Sequence, residues 1–383
     1  MDICVLNPFF YPYKGGTEKV LYKVYSRLSE KHNITVVTSA PKGSKKSYED
    51  RIGNIRIIRL KSNFIYIPKA PLPFVVMTNL DNTLKDINAD LYHINNRFQY
   101  FNPTLKVIKS INKKIAITIH NSSPKNIDIP TDKFGFLYDY SWGKKLIHAS
   151  DLITAVSKDA ILSTVPTVDI KRSKVIYNGV DFRLFKYHAK SNPIVRNILN
   201  NKYPKGINIL NTARLTTQKG QIYILKAVSK LLKENYKVNV IIIGTGPLYN
   251  KFIRFAKMHN MLENLRIFNN IPEQYLPYYY NASDIFVFPS LYEPAGLALL
   301  EALSSELPVI STKIGGIPEM MKNNGKYIEP SNYEMIYKSL KSIINNGYDR
   351  NIIKNARKLM IKEHNWDKIS KQYIEQFEKT VKF

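Results

Sequence analysis

The sequence has one cysteine in 383 residues, Cys4. A single thiol cannot form an intramolecular disulfide, which excludes a disulfide-stapled secreted fold and predicts a buried thiol in a reducing compartment. No apolar run reaches the roughly 18 residues that a membrane-spanning helix needs. The first residues, Met1–Leu6, lead directly into a strand-like run, so no secretory signal is expected. A cytoplasmic protein is therefore predicted.

Acidic residues are also scarce: 30 Asp and Glu stand against 57 Lys and Arg, a net charge of +27. The excess of cations is spread about evenly over the two halves of the chain. A nucleic-acid-binding domain would concentrate it on one part, so that reading is the least favoured and no nucleic-acid partner is expected. Diffuse basicity favours an enzyme with anionic substrates, and it suits contact with an acidic membrane.

Two motifs are missing. There is no Asp-x-Asp sequence and no His/Cys cluster with metal-ligand spacing, so no metal site is predicted. The glycine turn at 243–247, which contains Gly244, lacks the third glycine of a dinucleotide fingerprint, so NAD is not expected. Gly244 stays a candidate for binding another phosphate-containing ligand.

Strand-like runs alternate with helical stretches along the whole chain, which predicts α/β domains with mostly parallel, doubly wound sheets. The runs of the first half are Asp2–Leu6, Ile34–Thr38, Ile55–Leu60, Leu91–Ile94, Ile115–His120, Asp151–Val156 and Val175–Tyr177, with helices at Thr17–Lys31 and Tyr138–Ala149. After a polar stretch, 188–193, the runs are Ile207–Ala213, Val238–Ile243, Leu265–Phe268, Asp284–Pro289 and Pro308–Ser311. We predict domains at 1–187 and 194–365, joined by a linker.

The stretch 291–319 follows the apolar run at 284–290, which is typical of a buried parallel strand. Glu293 comes just after that run, and Glu301 lies eight residues later in a helix-forming segment. If Glu293 stands at the helix entrance, both carboxylates face one side, about 12 Å apart. With the free N–H groups of the helix start they can bind a polyhydroxylated ligand that carries phosphate; the N–H groups belong to Ala295, Gly296 and Leu297. Alternatively, each Glu is an ordinary helix-surface carboxylate.

The sequence Gly315-Gly316-Ile-Pro-Glu319 opens another helix after the next strand, and open α/β sheets bind ligands at such neighbouring strand ends. E-x7-E, followed by P-V-I-S-T and G-G-I-P-E, resembles the donor-site signature of the family-4 retaining glycosyltransferases, which have the GT-B fold. The resemblance implies two Rossmann-like domains that face each other across a cleft, with a C-terminal helix, 366–383, crossing back to the first. It implies hexose transfer from a UDP- or GDP-linked sugar to a hydroxyl of a glycan or lipid-linked acceptor. The configuration would be retained, without a metal or other cofactor.

The resemblance also implies roles for single residues. Arg214 and Lys219 lie five apart in a loop that matches the family's R-L-x-x-x-K-G, and both can reach one diphosphate. Glu293 would then hold sugar hydroxyls, Glu301 the ribose, and the backbone at Ile271 would border the base. The alternative for the two cations is an exposed basic loop.

In the first half, Gly15 and Gly16 precede a helix and would lie over the donor's diphosphate. His120 ends a strand and would lie near the transferred sugar, although Asn121 stands where many relatives have Asp. An N-G-V-D turn at 178–181 matches a structural element of the family.

Acceptor and membrane contacts are less determined by the sequence. The apolar stretch at 64–77 is broken by three prolines, which predicts a loop, and it and the stretch 95–101 are candidate acceptor contacts. Lys19, Lys23, Arg27 and Lys31 form a helical stripe that suits either solvent or a membrane surface. A nucleotide-sugar epimerase is the alternative enzyme, and the oligomeric state is left open.

Overall fold

The computed structural model describes residues 1–13, 15–66, 73–95, 102–121, 133, 136–164, 173–200 and 204–382. The chain divides into two compact units, Met1–Asn178 with Trp366–Phe383, and Gly179–Asn365. The division falls ahead of the predicted linker at 188–193. The reason is that Val180 and Phe185 are buried in the core of the second unit, where the Val180 N–H also donates to the His364 carbonyl.

The first unit contains ten strands within its described residues: β1 (Asp2–Leu6), β2 (Asn33–Ser39), β3 (Tyr48–Ile52), β4 (Ile55–Leu60), β5 (Ser62–Ile65), β6 (Phe74–Met77), β7 (Leu91–Asn95), β8 (Lys114–Ile119), β9 (Leu152–Ala155) and β10 (Ser173–Val175). Eight form one sheet in the order β10-β9-β8-β7-β1-β2-β4-β3. All neighbours pair in parallel except β3, which is antiparallel to β4. Strands β5 and β6 pair with each other as a separate antiparallel hairpin.

The helices of this unit are α1 (Gly16–Leu28), α2 (Leu80–Ile87), α3 (Asn102–Ser110), a π-helical turn (Asp139–Gly143) that continues into α4 (Lys144–Ala149), and α5 (Lys158–Ser163). The C-terminal helix Trp366–Lys382 belongs to the same unit and packs against α1. Its buried Tyr373 and Phe377 lie beside His93 of β7.

The second unit is built on strands β11 (Ile207–Thr212), β12 (Val238–Ile243), β13 (Leu265–Phe268), β14 (Ile285–Phe288), β15 (Val309–Thr312) and β16 (Lys326–Ile328). Its helices are α6 (Pro193–Asn200), α7 (Gln221–Lys233), α8 (Tyr249–Met258), α9 (Leu276–Ala282), α10 (Leu297–Ser304), α11 (Ile317–Met321), α12 (Tyr333–Asn346) and α13 (Arg350–Glu363); the C-terminal helix is therefore α14. Across the described residues the sheet order is β13-β12-β11-β14-β15-β16, and every pair is parallel.

Both faces of the second sheet are buried, because alternate residues of each strand point to opposite sides. In β11, Ile209 packs on the face that α7 and α12 cover. Leu210, the next residue, packs on the other face against α10 and α11. This two-sided burial explains why the strands read as unbroken apolar runs, and it confirms the predicted α/β class with parallel, doubly wound sheets.

Most predicted strands are found within a residue or two of their predicted ends. The predicted strand at 175–177 was misplaced: β10 ends at Val175, and Ile176 only donates its N–H to the Ala155 carbonyl beyond the ladder. The helix predicted to reach Lys31 ends at Leu28. The N–H groups of residues 30 and 31 donate to the carbonyls three residues earlier, which closes the helix with a tighter turn. The helix predicted at 138–149 begins with the π turn at Asp139–Gly143.

The predicted proline-broken loop at 64–77 was partly wrong. Its ends belong to β5 and β6, which pair Ile65 with Phe74, while residues 67–72 lie outside the described residues. The prolines do not prevent the flanking residues from forming a hairpin. The candidate acceptor contact at 95–101 lies outside the described residues except for Asn95.

The cationic stripe on α1 does not form an open surface. Lys19, Lys23 and Arg27 are half-buried, and the Arg27 Nε donates to Asp367 Oδ1 of α14 at 2.7 Å. The C-terminal helix therefore covers part of this side of α1, and a membrane contact of the stripe stays a prediction.

The predicted buried thiol is found: Cys4 lies inside β1 with no exposed surface, and burial raises its pKa. Among the helices of the described residues, none combines the length and the apolar composition that crossing a bilayer requires.

Candidate functional site

The second sheet reverses its strand order between β11 and β14, the position at which open α/β sheets bind ligands. The chain leaves β11 at Thr212 and forms a loop that ends in a 3-10 turn, Thr217–Lys219, before α7 begins. The chain leaves β14 at Phe288 and forms a second loop that runs to Gly296. These two loops carry five of the predicted site residues: Arg214, Lys219, Glu293, Ala295 and Gly296.

Backbone contacts hold the two loops together. The Leu291 N–H donates to the Gln218 carbonyl at 2.7 Å. Gly220 lies between them with a left-handed φ of 64°, and a Cβ there would overlap the Pro289 carbonyl. Only glycine meets both demands, so Gly220 fixes the direction in which the chain enters α7 directly after Lys219.

Lys219 and Glu293 meet in this space. The Lys219 Nζ donates to Glu293 Oε2 at 2.6 Å, and the two side chains are only 15% and 8% exposed. The Gly316 N–H donates to the Glu293 carbonyl at 3.1 Å, which ties the loop after β15 to the same point. A predicted sugar-binding carboxylate and a predicted phosphate-binding cation are thus direct neighbours.

Arg214 lies in the β11 loop with its side chain exposed. Its carbonyl accepts a hydrogen bond from Gln221 Nε2 at 2.9 Å, which fixes the backbone. Within the described residues its guanidinium has no hydrogen bond or ion pair. The cation is therefore available to an anionic ligand near Lys219.

Glu293 does not stand at the entrance of the helix that carries Glu301, which was the condition for the predicted spacing of the two carboxylates. Helix α10 begins only at Leu297, and Glu293 stands four residues ahead of it in the loop, so the expected spacing along one helix axis does not apply. Glu301 is buried, and its Oε2 accepts a hydrogen bond from the Tyr280 hydroxyl at 2.8 Å. That hydroxyl lies 2.7 Å from Thr212 Oγ1 at the end of β11, so Glu301 is positioned against the same strand end.

Tyr280 and Thr212 were missed from the sequence. Tyr280 is fully buried, and burial followed by the nearby Glu301 carboxylate raises its pKa well above the usual range, so its hydroxyl stays a donor. Its partner Glu301 is 21 residues away along the chain. No motif links the two positions, and only the packing of α9 and α10 against the sheet brings them together.

The start of α10 carries the remaining predicted contacts of this unit. Gly296 is the N-cap, and within the described residues no side chain caps the helix. Its first N–H groups therefore lack a side-chain acceptor and can donate hydrogen bonds to a ligand. A Cβ on Gly296 would lie 2.9 Å from a ring carbon of Phe288, so the glycine also permits close packing on β14. Ala295 and Leu297 beside it are half-buried.

Gly244 and Ile271 lie at neighbouring strand ends. A Cβ on Gly244 would overlap the Ala213 carbonyl, so this glycine allows the loops after β12 and β11 to touch. The Gly244 N–H donates to the Phe268 carbonyl at 2.9 Å. Ile271 follows β13 and packs against the core on the α10 face. Packing alone accounts for the positions of both residues, and their predicted ligand contacts stay predictions.

In the first unit, Gly15 is the N-cap of α1 and Gly16 its first residue. The buried Glu18 carboxylate lies against Gly15 and accepts a hydrogen bond from Asn7 Nδ2 at 3.3 Å. A carboxylate at a helix N-terminus already complements the helix dipole. It weighs against the predicted role of these glycines in holding a diphosphate.

His120 follows β8 and is buried, with its Nε2 2.8 Å from Asn95 Oδ1. Asn95 therefore takes the place of the Asp partner that Asn121 left in doubt. Burial lowers the pKa of His120 to about 4, and burial together with His120 lowers the pKa of His93 to about 3. His93 in turn contacts the Tyr25 hydroxyl and lies 2.7 Å from Thr118 Oγ1. Both rings are neutral at pH 7.

These two histidines predict acid-sensitive stability. In the unfolded chain they bind protons below pH 6.5, whereas in the fold they stay neutral to about pH 4, so unfolding takes up protons between these values. The stabilisation present at pH 7 is therefore lost as the pH falls. From pH 7 to pH 5 we expect the free energy of unfolding to fall by roughly 3 kcal/mol.

Urea unfolding followed by tryptophan fluorescence measures this, because both tryptophans, Trp142 and Trp366, belong to the first unit. The His120→Asn variant should lose about half of the pH dependence. A wild-type protein that is equally stable at pH 7 and pH 5 would contradict the assignment of neutral, buried imidazoles.

Within the described residues, no three His, Cys, Asp or Glu side chains are grouped so that they could hold a metal ion.

Comparisons with known proteins give consistent matches. The family model described as Glycosyltransferase Family 4 matches residues 14–184, and the one described as Glycosyl transferases group 1 matches residues 198–359. The glycosyltransferase MJ1069 of Methanocaldococcus jannaschii is 26% identical over the whole chain and 99% of its own length. The sulfoquinovosyl transferase SQD2 of Arabidopsis thaliana is 25% identical over 79% of this chain, and the match spans 59% of that protein.

Two solved structures share the fold. Sucrose-phosphate synthase from Thermosynechococcus elongatus superposes with a TM-score of 0.76 at 18% identity, covering 98% of each chain. Anabaena HepE in complex with UDP superposes with a TM-score of 0.77 at 17% identity, covering 99% of this chain and 100% of that one. At these identities the likeness speaks for the fold alone.

Proposed function

Because the chain belongs to the group 1, family-4 glycosyltransferases and has their GT-B fold, we propose that it transfers a hexose from a nucleotide-diphosphate sugar to a hydroxyl acceptor. The proposed acceptor is a glycan or a lipid-linked molecule. The proposed reaction retains the anomeric configuration and needs no metal ion. We place it in the cytoplasm, with a peripheral contact to an acidic membrane.

The observation that carries this proposal is the Lys219–Glu293 pair at the reversal of strand order between β11 and β14. The diphosphate of the donor is stabilised by a cation, and a sugar hydroxyl donates its hydrogen bond best to a carboxylate. The site therefore needs opposite charges within a few ångströms of each other. The pair offers both, in a place where burial strengthens electrostatic interactions. The exposed guanidinium of Arg214 lies in the first of these loops, and the second loop leads into the start of α10.

The proposed chemistry follows from these groups. The bond between the anomeric carbon and the diphosphate oxygen breaks, and negative charge grows on the departing nucleoside diphosphate. Arg214, Lys219 and the first N–H groups of α10 would stabilise that charge. The acceptor oxygen forms the new bond on the same face of the sugar and gives its proton to the departing phosphate oxygen.

The remaining residues would hold the donor in place. Glu293 would accept hydrogen bonds from sugar hydroxyls, and Glu301, oriented by Tyr280, would accept them from the ribose hydroxyls. Neutral His120 directs its one N–H at Asn95 Oδ1, so its other ring nitrogen is proposed to accept a hydrogen bond from a hydroxyl of the transferred sugar. The backbone at Ile271 would border the base.

The names of similar proteins support the choice of donor and acceptor. HepE was solved with UDP and with UDP-glucose, which supports a UDP-linked sugar, with a GDP-linked sugar as the second choice. A subunit of a phosphatidylinositol N-acetylglucosaminyltransferase from Saccharomyces cerevisiae is 25% identical over 84% of this chain. The lipid in that enzyme's name supports a lipid-linked acceptor. Nothing in the site or the comparisons favours an epimerase or a nucleic-acid-binding protein.

Thermal unfolding with UDP, GDP, ADP and their glucose conjugates tests the proposal. A ligand that binds only the native state raises the melting temperature, by an amount that grows with concentration over Kd. We expect UDP and UDP-glucose to give the largest shifts, unchanged by EDTA. Incubation with UDP-glucose, followed by NMR, should show slow release of α-configured glucose. No shift with any nucleoside diphosphate, or a pool of epimerised donor, would contradict the proposal.

A further inference from the structure

A basic groove runs along the first unit between α3 and α4. It encloses about 460 Å³ and is lined by Leu105, Lys106, Lys109, Lys145, His148 and Ala149. Its three lysines are exposed, and within the described residues none of their ammonium groups has an ion-pair partner. The lining therefore presents uncompensated positive charge, which attracts an anionic ligand or surface.

Large apolar side chains are exposed directly before this groove. Phe136, Leu137 and Tyr140 are 58%, 66% and 51% exposed, and the rings of Phe136 and Tyr140 lie 4.4 Å apart. Single exposed apolar residues are ordinary, but a cluster of three large ones marks an interaction surface. The aromatic rings suit the boundary between apolar and polar phases.

The apolar cluster and the basic groove are continuous. The π turn at 139–143 leads into α4 without a break, so the two form one helical segment. Phe136 and Tyr140 are exposed at its start and Lys144, Lys145 and His148 are exposed along its end, while Tyr138, Leu146 and Ile147 are buried. The exposed side is apolar at one end and cationic at the other, as in helices that lie in a membrane surface.

We propose that this face, formed by residues 136–148 with Lys106 and Lys109, docks the protein on a bilayer of anionic phospholipids. The apolar cluster inserts at the level of the headgroups, and the groove lysines contact lipid phosphates. Charge complementarity selects the occupant, because uncompensated lysines meet the negative surface while exposed rings meet the acyl boundary. This face would make the membrane contact of the proposed function, on which the proposal rests. It takes the place of the α1 stripe as the candidate membrane surface, because Arg27 of that stripe pairs with Asp367.

Co-sedimentation with vesicles tests the charged part. Wild-type protein should bind vesicles of phosphatidylcholine with phosphatidylglycerol, and bind those of phosphatidylcholine alone far more weakly. The triple variant Lys106→Glu/Lys109→Glu/Lys145→Glu should reduce binding to the anionic vesicles at least about 100-fold, since each lysine near the surface contributes about fivefold. Soluble glycerol phosphate should not compete, because a single headgroup offers no surface for the apolar cluster.

A matched control separates a local site from the effect of net charge. Lys251→Glu/Lys257→Glu/Lys354→Glu changes the net charge equally, on exposed helices of the second unit. It should keep most of the vesicle binding. If both triple variants lose binding alike, or if neither does, the proposed surface is wrong. Loss of DNA retention by the first variant, with vesicle binding intact, would also overturn it.

The apolar part is tested by Phe136→Ser/Leu137→Ser/Tyr140→Ser, which should weaken vesicle binding at least about tenfold without changing its salt dependence. Tyr249→Ser/Met258→Ser/Ile361→Ser, three exposed positions of the second unit, is the control and should bind as wild type does. Equal binding by the two variants contradicts insertion.

The UDP-induced melting shift of each variant keeps the two proposals apart. A UDP shift without vesicle binding overturns the docking surface alone. Vesicle binding that follows the expected pattern without a UDP shift leaves the docking surface standing and contradicts the donor site.

Discussion

Lys219→Ala is expected to lower kcat/KM for sugar transfer about 1000-fold, the upper range for losing one group that stabilises developing charge. Two effects add in this variant. The departing diphosphate loses a cation, and the Glu293 carboxylate, 8% exposed, loses its partner at 2.6 Å. Breaking a buried pair from one side also destabilises the fold, here by roughly 3 kcal/mol. Steady-state transfer assays and urea unfolding measure the two losses.

A double variant separates these effects. Lys219→Met/Glu293→Gln removes both charges, so the stability should largely return while transfer stays as slow as in the single variant. Lys233→Ala, an exposed lysine at the end of α7, the helix that follows Lys219, is the matched control and should transfer as wild type does. If transfer recovers together with stability in the double variant, Lys219 is a structural residue and its proposed role in catalysis is refuted.

Glu293→Gln should move two measured quantities in opposite directions. The amide keeps the size of the side chain but removes the charged acceptor for sugar hydroxyls, so transfer should slow about 100-fold or more. The same change leaves the Lys219 ammonium without its neutralising carboxylate, so UDP, which has no sugar, should bind about tenfold more tightly. Kinetics with UDP-glucose and calorimetric titration with UDP measure the two.

The opposite signs make this variant hard to explain by misfolding, which would weaken both ligands together. Glu329→Gln, an exposed carboxylate of the same unit, changes the charge equally and should alter neither quantity. If UDP binds Glu293→Gln more weakly, by a factor similar to the loss of transfer, then Glu293 does not compete with the diphosphate for Lys219.

The strands that carry the site could be predicted because burial on both faces leaves a strong signal in the sequence. Runs such as Val238–Ile243 are fully buried, so every position except the hydrogen-bonded Asn239 is apolar and the strand has no exposed polar face to blur its ends. Strand β3 was missed for the opposite reason. It is an exposed edge strand, and its charged Glu49 and Asp50 pair with Arg56 and Arg59 of β4.

The site was predicted as a set of residues but not as a geometry. Resemblance to a family signature singled out Lys219 and Glu293, yet nothing in the sequence says that the two touch across 74 residues. The helix-forming segment that contains Glu301 was found as α10, but Glu293 does not stand at its entrance, because Pro294 to Gly296 continue the loop. Side chains that only orient others, such as Tyr280, carry no motif of their own.

Surface features were predicted least well, because the same charges suit several environments. The α1 stripe read as a solvent or membrane face until α14 was seen to cover part of it. The exposed cluster at 136–140 reads as an ordinary amphipathic helix in the sequence. Its exposure depends on which side the preceding elements cover, and that is decided by tertiary packing.

We propose that side-chain cations and backbone amides of the second unit, and not a metal ion, neutralise a nucleoside diphosphate. Calorimetric titration of UDP in EDTA, with wild type and Arg214→Ala/Lys219→Ala side by side, tests it most directly. We predict that EDTA leaves the wild-type Kd unchanged and that the double variant binds at least about 100-fold more weakly. Wild-type binding that disappears in EDTA, or a double variant that binds as wild type does, would contradict the claim.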